Sequence, residues 1–141
     1  MIVKQVSVFV ENETGRLAKL MQVLEDNGID LNAATIAETG EYGILRCIVQ
    51  NPDETVEILK KNNFLASITN VIAVTIENRP GGLNAVLKIL AAAGIPVKYI
   101  YSTIQSLSGE AVIMMKVDDA EKAAKLLTEK GVKLFCLEDL K

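Results

Sequence analysis

From Ile2 to Val10 the chain alternates, with Val6, Val8 and Val10 on one face and Gln5 and Ser7 on the other. This is the pattern of a half-buried strand whose polar side meets water. The period then changes: Leu17, Leu20, Met21 and Leu24 recur at i, i+3, i+4 and i+7 and draw one apolar stripe along a helix, which Asn27-Gly28 stops. Leu31 to Ala37 reads as a second strand, Thr39-Gly40-Glu41 as a hairpin connection and Ile44 to Val49 as a third strand. In Asn51-Pro52-Asp53-Glu54 the asparagine caps a new helix, the proline takes its first position and Glu54 reaches back. That helix runs from Thr55 to about Asn62 with Val56 and Leu59 inward, and a fourth strand, Leu65 to Thr69, follows it. The order is βαββαβ.

The same pattern then begins again. Asn70 is the expected joint, because the next strand, Val71 to Ile76, starts at once and leaves no flexible linker. Leu83, Val86, Leu87 and Leu90 each lie 66 positions after Leu17, Leu20, Met21 and Leu24 (83 − 17 = 66), and Gly94 repeats Gly28. Strand Val97 to about Thr103, a hairpin through Ser106 to Gly109 and strand Ala111 to Val117 follow; the hairpin is two residues longer than its counterpart (111 − 43 = 68). Asp118-Asp119-Ala120-Glu121 opens the last helix, Gly131 ends it, and Lys133 to Leu137 is the expected closing strand. Two domains are therefore predicted, 1–69 and 70–141, each an α+β ferredoxin-like βαββαβ sandwich with a four-stranded antiparallel sheet and both helices on one face. The first and third strands are central and the second and fourth are edges. The second strands carry few charges, only Asp30 and Glu38 around one and Lys98 in the other, which suits edge-to-edge joining.

Units of about 70 residues bury too little surface to be comfortable alone, so they are expected to pack on each other or on a second chain. Half of the residues are hydrophobic and mean hydropathy is +0.27, yet no run approaches the ~18 apolar residues of a membrane span. The surplus apolar surface is assigned to interfaces, and the chain to a homodimer. A net charge of −3 argues against nucleic acid and anionic membrane as partners. No basic segment followed by an apolar one precedes the first strand, so a cytoplasmic location is expected. Cys47 and Cys136 each sit in a strand-like run without a partner at metal-ligand spacing and read as core residues. The chain contains no histidine, which removes Ser-His and Cys-His nucleophile pairs and most zinc sites.

The candidate chemistry lies in the repeated strand-to-helix turn. Glu77-Asn78-Arg79-Pro80-Gly81-Gly82-Leu83 has a degraded copy in Glu11-Asn12-Glu13-Thr14-Gly15-Arg16-Leu17 (77 − 11 = 66). In each, an asparagine turns the backbone, Gly15 or Gly81 keeps the space above it open, and Pro80 is preset for the turn or the first helical position. Unpaired N–H groups at a helix start are a seat for a carboxylate; the alternative is a plain helix start. Arg16 either neutralises a carboxylate or lies along the helix as a surface charge.

The repeat, the element order and the Glu77 to Leu83 turn resemble the ACT domain family, here as a tandem pair over nearly the whole chain. Glu77 to Gly81 is especially similar to the turn of the regulatory ACT domain of phosphoglycerate dehydrogenase, which binds serine as a feedback inhibitor. The resemblance implies amino-acid binding at an interface between ACT units, with the turn of one facing the start of the second strand of the other. It assigns ligand contact to Asn12, Thr14, Gly15, Arg16 and Leu17, to Asn78, Pro80, Gly81, Gly82 and Leu83, and to the strand starts Asp30, Leu31 and Asn32, and Pro96 and Val97. It implies no cofactor; the partners are a free amino acid, a second copy of the chain and a separate biosynthetic enzyme. Two departures weaken serine as the ligand: Val10 and Ile76 stand where the dehydrogenase has a histidine, and Asp30 and Pro96 where it has an asparagine. Asp30 either takes an ammonium group or is a solvated strand end, and Asn32 either replaces the lost amide or is one too. Tyr99 and Tyr101 are either a pocket wall or interface packing.

The leading expectation is a non-catalytic amino-acid-binding regulator. A structural dimerisation module whose turn binds nothing is the alternative. An acylphosphatase-type hydrolase lacks its glycine-rich phosphate loop with a catalytic Arg and Asn. RNA binding through sheet aromatics is disfavoured by charge and by central strands that offer no stacking pair.

Overall fold

The computed structural model describes residues 2–104, 109–136 and 138. The chain divides into two compact units, Lys4–Thr69 and Met1–Val3 with Asn70–Lys141. Its elements are β1 (Val3–Glu11), α1 (Arg16–Asp26), β2 (Ala33–Glu38), β3 (Tyr42–Ile48), α2 (Pro52–Lys61), β4 (Leu65–Glu77), α3 (Gly82–Ala92), β5 (Val97–Ser102), β6 (Glu110–Val117) and α4 (Ala120–Glu129). The expected α+β, ferredoxin-like arrangement with antiparallel strands is present.

In Lys4–Thr69 the strand order is β2-β3-β1-β4. The register sets Val6 against Cys47 and Ala34 against Cys47, so one face of the three strands is continuous. Val6, Val8, Val10, Leu45 and Cys47 on that face pack with Leu20 and Leu24 of α1, Val56 and Leu59 of α2, and Phe64. The helix stripe and strand alternation read from sequence meet here, each buried Leu or Val contributing about 1.5–3 kcal/mol over exposure. In the other unit β4, β6 and β5 are neighbours in that order. Ile72 and Val74, Ile113 and Met115, Val86 and Leu90 of α3, and Ala123, Ala124 and Leu127 of α4 form its core.

Several expectations change. The two strands predicted on either side of Asn70 are one strand, β4, of 13 residues. No Gly or Pro interrupts Ile68-Thr69-Asn70-Val71-Ile72, and the alternation passes through Asn70 in phase, so nothing in the chain breaks the extended backbone. The closing strand from Lys133 reduces to an antiparallel bridge, Leu134 to Val74, supported by Thr75 N–H to Lys133 O and Phe135 N–H to Ala73 O, both 2.9 Å; Leu137 lies outside the described residues, as do 105–108 of the second hairpin. Helix α2 begins at Pro52, the first position expected of the proline, and runs to Lys61, but Asn51 makes no side-chain cap. Buried Thr55 closes that start instead, donating its N–H (3.0 Å) and its Oγ1–H (2.8 Å) to the Asn51 carbonyl.

The polar side of β1 is also not simply wet. Gln5 is fully buried; its Nε2 donates to Ser7 Oγ at 3.0 Å, and Ser7 Oγ lies 3.0 Å from Thr69 Oγ1 on β4. A buried amide is tolerable only with such partners. Further along the same face the register pairs Phe9 with Ile44 and Glu11 with Tyr42, which brings Phe9 and Tyr42 into diagonal contact. Their rings stack at 4.5 Å and 26°. The central strands therefore do carry an aromatic pair, although the faces the rings turn to each other are closed to a nucleobase.

Candidate functional site

Both turns share one backbone hydrogen-bond pattern and one left-handed glycine. Gly15 (φ +84°) and Gly81 (φ +88°) are the N-cap residues of α1 and α3, in the left-handed region where an L side chain is strained. The backbone hydrogen bonds repeat one for one. Asn12 N–H reaches Glu41 O (2.9 Å) as Asn78 N–H reaches Gly109 O (3.2 Å); Glu13 N–H bonds Glu11 O as Arg79 N–H bonds Glu77 O, both 2.9 Å. Arg16 N–H bonds Glu13 O (3.1 Å) as Gly82 N–H bonds Arg79 O (3.0 Å), and Lys19 and Ala85 N–H return to Gly15 and Gly81 O, both 3.0 Å.

This pattern moves the candidate donors. The N–H groups of Arg16 and Gly82 are used inside the turn, so the ones left without an intrahelical acceptor belong to Leu17 and Ala18, and to Leu83 and Asn84. A Cβ placed at Gly15 or Gly81 would meet no atom within 4 Å, so the space over each helix start is open. Neither α1 nor α3 has a side-chain cap or an acidic residue in its first turn. The other two helices do: α2 has Asp53 and Glu54 there, and α4 has Glu121 and an Asp119 cap that accepts from Lys122 N–H at 3.0 Å. Two helix starts are thus neutralised by the chain itself and two are not.

The two turns differ in their side chains. A Cβ on Gly82 would run into the Glu77 carbonyl oxygen, so this glycine serves close packing of the turn rather than an open pocket. Its counterpart Arg16 points away from the turn: its guanidinium lies 4.2 Å over the Phe64 ring and Nη2 is 3.4 Å from Asn63 O. Asn12 Nδ2 donates to Gly40 O at 2.7 Å and ties the first turn to the β2–β3 hairpin, which leaves its Oδ1 as an acceptor. Glu11 and Glu13 lie in the first turn itself and are exposed, and Glu41, whose carbonyl accepts the Asn12 N–H, lies in the hairpin. In the second, Glu77 is ion-paired to Arg79. Thr14, Asn78 and Pro80 are exposed, Leu17 is 37% exposed, and Leu83 is packed against the core.

The strand starts do not join these turns within a unit. Glu11 at the turn pairs with Tyr42, whereas Ala33 pairs with Ile48 and Asn32 N–H with Ile48 O (2.8 Å). Six residues of β3 separate them, about 20 Å at ~3.3 Å per residue. In the other unit Glu77 pairs with Glu110 and Val97 with Val117, a similar separation. Asp30 is exposed and its Oδ1 accepts the N–H of Leu31 at 2.9 Å; Leu31 is half-buried against the core, and Pro96 is exposed before half-buried Val97. Tyr99 and Tyr101 lie side by side on β5, centroids 6.4 Å apart. What the linear pattern missed, the Gly40 anchor and the Phe64 stack, joins residues far apart in the sequence. Among the described residues no group of three His, Cys, Asp or Glu is arranged to hold a metal ion, and no helix is long and apolar enough to cross a membrane.

Comparison with known proteins agrees with this architecture. The chain is similar to a protein of Bacteroides thetaiotaomicron of known crystal structure, with 38% identity, a TM-score of 0.92, and coverage of 99% of this chain and 96% of that one. It shares the fold of the regulatory subunit of aspartate kinase from Thermus thermophilus in its ligand-free form (16% identity, TM-score 0.65, 92% and 96% covered). The same subunit from Thermus flavus gives 15% identity and a TM-score of 0.63, with 92% and 94% covered. No curated protein matches. The family described as ACT domain pair matches residues 1–141. With two copies of one turn, one helix stripe and one hydrogen-bond pattern inside that span, the chain belongs to the ACT domain pair family.

Proposed function

We propose that this chain is a non-catalytic regulatory protein that binds a free amino acid at its strand-to-helix turns. The observation that carries the proposal is the contrast among its four helix starts: α1 and α3 are uncapped, free of acidic residues and open above the glycine, while α2 and α4 supply their own carboxylates. The ligand carboxylate meets the N–H groups of Leu83 and Asn84 at the second turn, and its ammonium the Asn78 side-chain oxygen. The first turn, with Asn12, Thr14 and Gly15, is the weaker seat, because Glu11 and Glu13 lie in it without an ion pair among the described residues and Arg16 is engaged with Phe64. Charge-assisted hydrogen bonds of this kind contribute roughly 1.5–3 kcal/mol each. The second wall, Asp30 to Asn32 or Pro96 and Val97, comes from another ACT unit in a homodimer, since a unit's own strand start is about 20 Å from its turn.

The regulatory subunits of aspartate kinase share the fold, which supports a role in which binding here is passed to a separate biosynthetic enzyme. The structural-module alternative has one observation in its favour: one oxygen of exposed Asp30 accepts its own Leu31 N–H, a role that is local to the strand start. A thermal-shift screen of the twenty amino acids decides between them, because a ligand that binds only the folded state raises the melting temperature by mass action. One amino acid, or a small related set, is expected to raise it in a concentration-dependent way. If none does, the turn is a structural element.

A further inference from the structure

Where the outer face of β1 meets the end of α2 and the start of β4, beside Ala66, Lys4–Thr69 carries a groove unrelated to the turn glycines. It has a volume of about 250 Å³ and is lined by Ser7, Phe9, Ile44, Lys60, Leu65 and Ser67. These residues come from β1, β3, β4 and the last turn of α2. Two features distinguish the groove from a merely uncovered patch. Its walls are large apolar groups left open, Phe9 at 37% and Leu65 at 73% exposure, and Phe9 is braced from behind by Tyr42 at 4.5 Å. Its charge is of one sign: Lys60 is the only ionisable lining residue, and its ammonium forms no ion pair among the described residues. Ser67 adds an exposed hydroxyl, while Ser7 is already held by Gln5 and Thr69.

We propose that this groove is a second ligand site, for a small organic monocarboxylate with an aromatic or branched apolar part. The apolar part lies on Phe9, Ile44 and Leu65, and the carboxylate meets Lys60 with the Ser67 hydroxyl beside it. The sign follows from the lining, because an ammonium ligand would find no carboxylate there and a neutral one would leave Lys60 unused. The size follows from the volume, which is below the ~300–1,000 Å³ typical of larger ligand pockets. The apolar walls supply the transfer free energy that a lone exposed ion pair lacks.

Calorimetry or ligand-observed NMR on the full chain with three probes of one shape, phenylacetate, phenylacetamide and phenethylamine, tests the assignment. Phenylacetate is expected to bind at least about tenfold more tightly than either other probe. Lys60→Gln should remove that preference, and Leu65→Ser should weaken phenylacetate by a similar factor; both positions are exposed, so an unchanged melting temperature verifies the fold. Gly81→Asp, which acts at the turn, should leave this binding unchanged. Equal binding of the three probes, no binding of phenylacetate up to about ten millimolar, or an unaltered preference in Lys60→Gln would overturn the proposal.

Discussion

Replacing Gly82 with alanine tests the geometry of the second turn most directly. Near a helix start, Gly→Ala ordinarily stabilises by about 0.5–1 kcal/mol, because it removes freedom from the unfolded chain. Here the new methyl would run into the Glu77 carbonyl oxygen, with that carbonyl's carbon at 3.1 Å. The obstacle is backbone, and that same oxygen accepts the Arg79 N–H at 2.9 Å, so relief requires the end of β4 or the start of α3 to move. Overpacking of this sort costs typically 1–3 kcal/mol, which reverses the usual sign. Urea denaturation followed by circular dichroism should show Gly82→Ala about 1–2 kcal/mol less stable than the parent. Arg16→Ala, at the same place in the first copy, should lose no more than the stacking on Phe64, about 0.5–1 kcal/mol. If Gly82→Ala is as stable as the parent or more so, the helix start does not lie against Glu77 and the turn has been misread.

Three other outcomes are expected. Gly81→Asp places a carboxylate over the start of α3 in a residue type that tolerates left-handed φ; affinity for the amino acid found by thermal shift should fall about tenfold or more, while Gly81→Asn falls less. Equal losses for the two would show that charge at the helix start is irrelevant. Light scattering at micromolar concentration should give twice the 15.3 kDa chain mass, and a monomer would remove the second wall of the proposed site. Burial pushes the Cys47 thiol up from 9.0 to about 12; because the unfolded thiol ionises first, its contribution to stability is complete below pH 9 and is lost as pH rises from there toward 12. Native Cys47 should therefore resist alkylation at pH 8, and Cys47→Ala should flatten the alkaline fall in stability; rapid modification without unfolding contradicts the burial.

Much of this fold was readable because its signals are local and repeated. The stripes Leu17-Leu20-Leu24 and Leu83-Val86-Leu90, the valine alternation of β1 and the two turn glycines each need only a few neighbouring residues to be recognised. Where the physics is non-local, the sequence was silent or misleading. Two strands are expected on either side of Asn70, yet one strand runs through it, because it tolerates a polar residue when no breaker adjoins it. Gln5 looked solvent-facing, and only Ser7 and Thr69 together explain its burial. The stacking of Phe9 on Tyr42 and of Arg16 on Phe64 joins residues tens of positions apart. Gly81 and Gly82 look equivalent in the sequence, but one answers to backbone sign and the other to a carbonyl oxygen.

If the ligand bridges a turn and a second-strand start of two chains, as proposed, the separation of about 20 Å between a unit's own two surfaces makes protein concentration itself a variable of ligand recognition. A binder that needs both surfaces holds half of its receptor in each unit, so the small molecule and the neighbouring unit become mutual effectors: whatever factor the ligand adds to association, association returns to the ligand. Titrations at nanomolar and at tens of micromolar chain would then report different apparent dissociation constants for the same amino acid. Dilution, with no change in sequence or solvent, would act as an antagonist.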